Sequence, residues 1–281
     1  MALFNVLKFN GEKEPFSFNK VYESAKRVGA SKDFAKEIAE IVEKEAYQGI
    51  KTSEIFKKVK KLLKREKNNA SLKFSLKEAM RKLGPTGFPF EKYISEIFSR
   101  NGFKTKLNQN IKGHCCKYEI DFLAEKENLL YVAECKYRNL SKAKVHSNIA
   151  LANFARFIDI QKGNFLKNKK FKNLNIKSLL VTNTKFTRKN IEYSKCVGVE
   201  LLGWNYPKKA GLERIIDDNR FYPITILPSL NNRIAEIFAS KKMMLIQDIS
   251  KINISNFTQK TGISKKVLEK LKKEAGILID V

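Results

Sequence analysis

The chain has 281 residues, 43% of them hydrophobic, which gives room for about two or three domains with buried cores and excludes a disordered protein. Its 56 lysines and arginines against 29 acidic residues give a net charge of +27, which favours a polyanion such as nucleic acid as the partner. The sequence has no apolar run that approaches the ~18 residues of a membrane-spanning helix. Residues 1–11 also lack the pattern of a signal peptide, so a soluble, cytoplasmic protein is predicted.

Residues 1–84 are predicted to form a separate, mostly helical domain with a β-hairpin at one edge. A short pair of strands surrounds a turn at Asn10-Gly11, and two amphipathic helices follow, with Ser31 and Thr52 where N-caps are expected. The Gly and Pro residues of LGPTG, at 83–87, favour a domain boundary there.

The motifs of this first domain resemble the ATP-cone, a regulatory nucleotide-binding module. The matching residues are Val6, Lys8 and Gly11, then Glu14-Pro15-Phe16, Lys20-Val21 and IKTSEI at 50–55, whereas Phe9-Asn10 stands where the family usually has Arg-Asp. The resemblance implies that ATP or dATP binds as a regulatory ligand, with Lys8 and Lys20 at the phosphates and Val6 beside the base or sugar. Lysine suits this role because its ammonium group is a mobile charge with three donors. The chain has no Walker A pattern, so hydrolysis of ATP by a P-loop mechanism is not expected.

The segment 118–136, YEIDFLAEKENLLYVAECK, is predicted to form two strands that bring acidic residues together. Residues two apart on a strand share a face, so Glu134 and Lys136 point the same way and Cys135 points the opposite way. If Glu127 and Asn128 form a two-residue turn, antiparallel pairing places Asp121 opposite Glu134.

Two converging carboxylates beside an ammonium group suit metal-dependent hydrolysis of a phosphodiester. Asp121 and Glu134 are the candidate ligands of Mg²⁺, which proteins usually hold with one or two carboxylates plus waters and substrate phosphate. Lys136 is the candidate group that orients the attacking water and offsets charge on the phosphorane. The alternative is a hairpin whose charged residues lie on a solvated face.

The pattern Ile120-Asp121 followed by Glu134-Cys135-Lys136 resembles the motif of the PD-(D/E)XK nucleases, with Ile120 where the family has Pro. Residues 86–207 resemble the Mrr-like (type IV) restriction endonucleases of that superfamily. The resemblance implies a Mg²⁺-dependent DNA endonuclease in which a Glu of the first helix, Glu91, supports the metal site. At about 100° per residue, Glu91 lies at the edge of that helix's apolar stripe and Glu96 on its far side. An exposed first-turn Glu that stabilises the helix N-terminus is the alternative.

The predicted fold class is an α/β multidomain protein. Residues 1–84 form the helical ATP-cone, 85–222 a central mixed α/β domain with a restriction-endonuclease-like fold, and 223–281 a small helical region. A crossover helix is expected over 141–159. The C-terminal region faintly resembles a helix-hairpin-helix that binds phosphates, and a packing or dimerisation bundle is equally open.

Two functional hypotheses follow. The first is an ATP-responsive, Mg²⁺-dependent DNA endonuclease that hydrolyses phosphodiester bonds, and the second is a nucleotide-sensing DNA-binding protein that does not cut. The intact Glu134-Cys135-Lys136 favours the first hypothesis, because a merely structural hairpin does not need these residues. RNA stays open as a substrate. Symmetric cutting of two strands would suggest a homodimer, although no heptad pattern supports one.

Overall fold

A computed structural model describes residues 4–66, 68–83, 90–139 and 143–279. The predicted domain boundary between residues 84 and 85 lies outside these ranges. The N-terminal part consists of a β-hairpin followed by helices: β1 (Asn5–Leu7), β2 (Lys13–Pro15), α1 (Phe18–Arg27), α2 (Lys32–Glu45), α3 (Thr52–Glu66), α4 (Asn68–Phe74) and α5 (Leu76–Arg81).

Local sequence signals explain most of these boundaries. Strands β1 and β2 pair antiparallel around Gly11, whose φ of +80° suits the turn and is costly for other residues. The Ser31 hydroxyl accepts a hydrogen bond from the Phe34 amide at 3.2 Å, which confirms Ser31 as the N-cap of α2. Thr52, by contrast, is the first residue of α3 rather than its cap, because the carbonyl of Lys51 already accepts the first helical hydrogen bonds.

The central part is built on a mixed five-stranded sheet in the order β3-β4-β5-β7-β9. Strands β3, β4 and β5 pair antiparallel, whereas β5, β7 and β9 run parallel and therefore need crossover connections. The elements are α6 (Phe90–Arg100), β3 (Lys104–Lys112), β4 (Lys117–Lys126), β5 (Leu129–Cys135), β6 (Lys144–Val145), α7 (Ser147–Lys162), a 3₁₀ turn (Lys169–Phe171), β7 (Asn175–Val181), β8 (Lys185–Phe186), α8 (Arg188–Val197) and β9 (Glu200–Leu202).

The crossover helix α7 begins at Ser147, later than the predicted start at Ser141, which lies outside the described residues. Lys144 and Val145 instead pair with β8 as a small parallel ribbon. The prediction placed the helix too early because this pairing joins residues about forty positions apart, which local periodicity does not register.

The sheet is covered on both faces. Phe122, Ala133 and Leu179 point toward α6 and the C-terminal helices, whereas Leu123, Val132 and Leu130 pack with Ile160 of α7. This two-sided burial is typical of sheets that contain parallel strands. The observed mixed α/β architecture with helical N- and C-terminal parts confirms the predicted fold class at that level.

The C-terminal part is helical and packs against both other parts. Its elements are α9 (Leu212–Asp218), a 3₁₀ turn (Ile224–Ile226), α10 (Asn232–Ser240), α11 (Ile246–Ser250), α12 (Ile254–Thr261) and α13 (Lys265–Ile279). Gly262 ends α12 with a φ of 70°, which supplies the tight turn before α13. One hydrophobic cluster joins Leu72 and Met80 of the first part to Phe90, Tyr222 and Leu271. Within the described ranges, no helix has the length and apolarity needed to cross a bilayer.

Candidate functional sites

The β4–β5 hairpin has the register that the sequence predicts. Pairs run from Lys126↔Leu129 at the turn to Phe122↔Ala133, and Glu127 in the turn has a φ of 54°. Continuing this register by one pair sets Asp121 against Glu134. The ladder itself stops at Phe122, so both acids lie where the two strands separate.

Asp121 lies at a break in the pleat of β4. Ile120 packs in the cluster under α7 and Phe122 in the cluster under α6, so residues two apart face opposite sides here. On β3, the facing Asn108 has a φ of 50° and drops out of the ladder. Freed from the sheet, the Asp121 carboxylate accepts a hydrogen bond from the Cys135 amide at 2.6 Å. The break therefore holds this carboxylate beside the end of β5.

Glu134 is held by an arginine from across the sheet. Arg156 of α7 donates to the Glu134 carboxylate at 2.5 Å, and the two side chains are 28% and 15% exposed. Sequence reasoning missed Arg156. A signal was present, because Arg156 and Asp159 are the charged residues of an otherwise uncharged stretch from Ser147 to Gln161.

Three carboxyl groups near the end of this hairpin have a raised pKa. Burial raises the pKa of Asp121, Glu134 and Glu91, and the charge of Asp121 raises the pKa of the other two further. The charges of Arg156 and Lys136 act in the opposite direction on Asp121 and Glu134. Asp121, Glu134 and Lys136 thus lie at the same end of the hairpin, and Glu91 lies close enough for the charge of Asp121 to act on it.

The main chain around Lys136 is fixed on both sides. Its amide donates to the Val181 carbonyl at 2.7 Å, and its carbonyl accepts from the Thr182 hydroxyl at 2.6 Å. The next residue, Tyr137, donates its hydroxyl to the carbonyl of Arg81 at the end of α5 at 2.6 Å. The helices of the first part therefore contact the chain directly beside Lys136.

The donor set fits one kind of metal. Within the described part of the chain, no three His, Cys, Asp or Glu residues lie close enough to hold a metal ion by themselves. Two carboxylates that leave room for waters and phosphate are the usual protein ligands of Mg²⁺, so Asp121 and Glu134 suit that ion better than a structural zinc.

Asp159 fixes the surroundings of Arg156. Its carboxylate accepts from the Cys115 amide at 2.9 Å and the Cys116 amide at 3.3 Å, and these bonds, the Cys115 amide first, lower the pKa of Asp159 to about 2. Burial and a hydrogen bond to Asp159 raise the pKa of Tyr118 to about 12. The Arg156 guanidinium lies 5.9 Å from the centre of the Tyr118 ring. The helix, the β3–β4 turn and the arginine are therefore tied together.

A second site is an open pocket of about 190 Å³ between the β1–β2 hairpin, α1 and α3. Its wall is mostly apolar, with a few polar groups at the rim, as is common where a ring system binds. Its lining includes Val6, Glu14, Phe16, Lys20, Thr52, Ile55, Phe56 and Phe74.

The predicted phosphate-binding lysines meet at this pocket. Lys20 lies 3.3 Å from the Glu14 carboxylate, and Lys8 forms an ion pair with the same carboxylate. The hydrogen bond from Lys8 is the main cause of the lowered pKa of Glu14. Val6, predicted beside the base or sugar, lies in the pocket wall. The structure thus groups Val6, Lys8 and Lys20, while their individual roles stay predictions.

Two aromatic residues of the pocket were missed from the sequence. Phe56 and Phe74 stack with ring centres 4.8 Å apart and both line the pocket. They lie on different helices, α3 and α4, so no spacing rule links them. The residue next to Phe74, Lys73, forms an ion pair with Asp217 of the C-terminal part at 3.2 Å. Helix α4 therefore contacts both the pocket and the C-terminal part.

Two family models match parts of the chain. The ATP cone domain family model matches residues 4–79, and the AF1548-like C-terminal family model matches residues 222–279. An uncharacterized protein of Archaeoglobus fulgidus is 35% identical over 136 residues, which are 48% of this chain and 71% of that protein. The crystal structure of AF1548, a protein of unknown function, aligns with a TM-score of 0.57 and 27% identity over 68% of this chain and 97% of that one.

The fold and the N-terminal pocket define the class: a regulatory nucleotide-binding cone placed ahead of a mixed α/β domain. The chain belongs to the AF1548-like family. ATP-cone domains bind nucleotides as regulatory ligands, so the first domain is a nucleotide-binding regulator.

Proposed function

We propose that the chain is an ATP-regulated, Mg²⁺-dependent DNA endonuclease with a restriction-endonuclease-like, Mrr-like central domain over residues 85–222. The observation that carries this proposal is the splayed end of the β4–β5 hairpin. There Asp121 and Glu134 converge from two strands with Lys136 one strand period beyond Glu134. Such a trio, with two half-buried carboxylates and Arg156 as a further cation beside them, supplies the groups that metal-dependent hydrolysis of a phosphodiester uses.

Each residue of the site has a distinct part. Asp121 and Glu134 would hold the metal, which when bound lowers the pKa of a water and polarises the phosphate. Lys136 orients that water and offsets charge on the pentavalent phosphorus, and its fixed main chain limits where its ammonium group reaches. Glu91, at the start of α6 and close enough to Asp121 for its charge to raise the pKa of Glu91, would support the metal site without being a ligand.

DNA is the proposed substrate because of the charge of the whole chain. A net charge of +27 supplies phosphate binding that does not depend on base sequence and weakens with salt. Symmetric cutting of both strands would suggest a homodimer, which light scattering with and without a DNA duplex tests.

Cleavage of supercoiled plasmid, modified and unmodified, tests the proposal. We expect nicking or linearisation that requires Mg²⁺, changes with ATP and is lost in Asp121→Asn and Lys136→Met. Asp218→Asn is the matched control, because Asp218 is an exposed acid of α9. If the wild type retards DNA in a gel but never cuts it, the alternative of a nucleotide-sensing DNA-binding protein replaces the nuclease.

A further inference from the structure

Arg156 is the residue of the central site that neither the sequence motif nor the family matches assign. We propose that Arg156 occupies the cation position beside Glu134 in the free protein, is displaced by the divalent metal, and then binds the substrate phosphate. The inference rests on the proposed function, since it concerns the same metal site. It makes Arg156 a substrate-binding residue whose position depends on whether the metal is bound.

The contact geometry supports competition between Arg156 and a metal ion. Arg156 approaches the Glu134 carboxylate at 2.5 Å, so it takes up an oxygen that a bound cation needs. Glu134 is only 15% exposed, which leaves little room for a second partner on its open side. A divalent ion and the guanidinium therefore exclude each other at this oxygen.

A second contact gives the arginine somewhere to remain after displacement. The guanidinium lies 5.9 Å from the Tyr118 ring centre, and Tyr118 is hydrogen-bonded to Asp159 on the same helix as Arg156. An aromatic face attracts a guanidinium without needing Glu134. When Glu134 turns to a metal, Arg156 stays at the rim of the site instead of moving into solvent.

The charges of the site point the same way. The Lys136 and Arg156 side chains both lie close enough to Asp121 and Glu134 to favour the charged carboxylates. A divalent cation adds positive charge beside these two cations, so a negative group that arrives with it favours its binding. A DNA phosphate is such a group, and guanidinium binds phosphate with paired hydrogen bonds. Metal and DNA should therefore bind cooperatively through Arg156.

Metal binding without DNA tests the inference independently of cleavage. Mn²⁺, used alone as the probe, is titrated into the full chain and followed by calorimetry and electron paramagnetic resonance. Arg156→Ala should bind Mn²⁺ about 5- to 10-fold more tightly than wild type, at the low end of ordinary couplings between sites. Arg156→Lys should retain part of the competition. Arg188→Ala, which removes a 94% exposed arginine side chain of α8, should leave the affinity unchanged.

Cleavage kinetics give the second readout. At saturating Mn²⁺, Arg156→Ala should raise the KM for DNA and lower kcat, with partial rescue in Arg156→Lys, because the phosphate contact is lost although the metal is bound. Arg156→Gln, which keeps length and hydrogen bonding without the charge, replaces the alanine variant if that one does not fold, as checked by circular dichroism.

The outcomes separate the two proposals. If Arg156→Ala binds Mn²⁺ more weakly or equally, Arg156 merely supports Glu134 and the inference is wrong, while an Asp121-dependent Mn²⁺ site still stands. If wild type binds no Mn²⁺ that Asp121→Asn removes, the metal site itself is absent and both proposals fail. Tighter binding in Arg156→Ala together with loss of cleavage supports both.

Discussion

At the scale of residues, two unlike sites share one arrangement. Glu134 is held by Arg156, and Glu14 is held by Lys8 and Lys20. In each case a carboxylate forms ion pairs with basic side chains that could also bind a phosphate. These ion pairs neutralise the cations while no ligand is bound. Ligand binding at either site must therefore exchange partners rather than fill an empty space.

The half-buried Asp121 should cost stability. Burial raises the pKa of Asp121 in the folded protein above its ordinary value of 3.8. Between 3.8 and the folded-state pKa, the folded protein therefore binds more protons than the unfolded chain, and the free energy of unfolding falls as the pH rises through this range. Asp121→Asn should raise the free energy of unfolding at neutral pH by about 0.5 to 2 kcal/mol, as is common at active sites.

Urea unfolding at neutral pH and at a pH below 3.8 measures this effect. The gain should disappear at the lower pH, where Asp121 is protonated in both states. Asp218→Asn, at an exposed position, serves as the control. A gain that persists unchanged in acid contradicts the argument, because it would not come from ionisation.

Lys20 should be needed for nucleotide binding. It is exposed, lines the pocket and contacts Glu14, so its ammonium group can exchange that carboxylate for a phosphate. A hydrogen bond to a charged group contributes roughly 1.5–3 kcal/mol, so Lys20→Ala should weaken ATP binding by about 10-fold or more in calorimetry. Lys13→Ala on the neighbouring strand β2 is the matched control. Equal affinities for the two variants would remove Lys20 from the site.

The sequence predicts the site residues that one hairpin brings together. It does not predict the residues that meet across the sheet. Asp121 and Glu134 follow from period-two alternation and a two-residue turn, both local rules. Arg156 reaches Glu134 only because α7 packs over β5, and the pleat break at Asp121 depends on Asn108 of another strand. Both are tertiary effects that spacing along the chain does not encode.

At the scale of elements, α4 and α5 link the two sites. Ala70 and Phe74 of α4 belong to the hydrophobic cluster of the cone, whereas Leu72 belongs to the cluster shared with the sheet. Phe74 also lines the pocket beside the β1–β2 hairpin, where we expect the nucleotide to bind, and α5 ends at the carbonyl that accepts the Tyr137 hydroxyl. A nucleotide that moves Phe74 therefore acts on helices that contact the chain beside Lys136.

Tyr137→Phe should weaken this link. It removes one hydrogen bond to the Arg81 carbonyl and keeps the ring that packs 6.0 Å from Phe90. With a net hydrogen bond of about 1 kcal/mol, the ratio of cleavage rates with and without ATP should fall by up to about fivefold while ATP affinity stays the same.

Hydrogen exchange provides a readout of the same link that does not depend on cleavage. In wild type, ATP should change protection of residues 133–139, and in Tyr137→Phe this change should shrink. Tyr193→Phe on α8 is the control, since Tyr193 packs with Phe154 away from the cone. An unchanged response to ATP in Tyr137→Phe would exclude this contact as the route.

At the scale of the whole molecule, packing does not follow three separate domains. The C-terminal helices, α6 and the α4–α5 pair contribute to one hydrophobic cluster, whereas α1, α2 and α3 surround a cluster of their own. An ion pair from Arg27 of α1 to Glu213 of α9 at 3.7 Å bridges the two bodies beside a cleft of about 540 Å³, and Lys73 of α4 pairs with Asp217 at 3.2 Å next to it. Such partly exposed pairs contribute little stability.

Two bodies with separate cores and weak bridging should unfold in two transitions. Differential scanning calorimetry should show one transition for the cone helices and a larger one for the shared core. ATP binds only the folded cone, so at 100 times its Kd it should stabilise that transition by about 2.7 kcal/mol and leave the larger one nearly unmoved. At the same ATP concentration, Lys20→Ala should reduce this stabilisation to about 1.4 kcal/mol or less, because its affinity is about 10-fold weaker. A single transition that ATP raises as a whole would mean instead that α4 couples the two cores rigidly, and nucleotide binding would then stabilise the central site and the cone together.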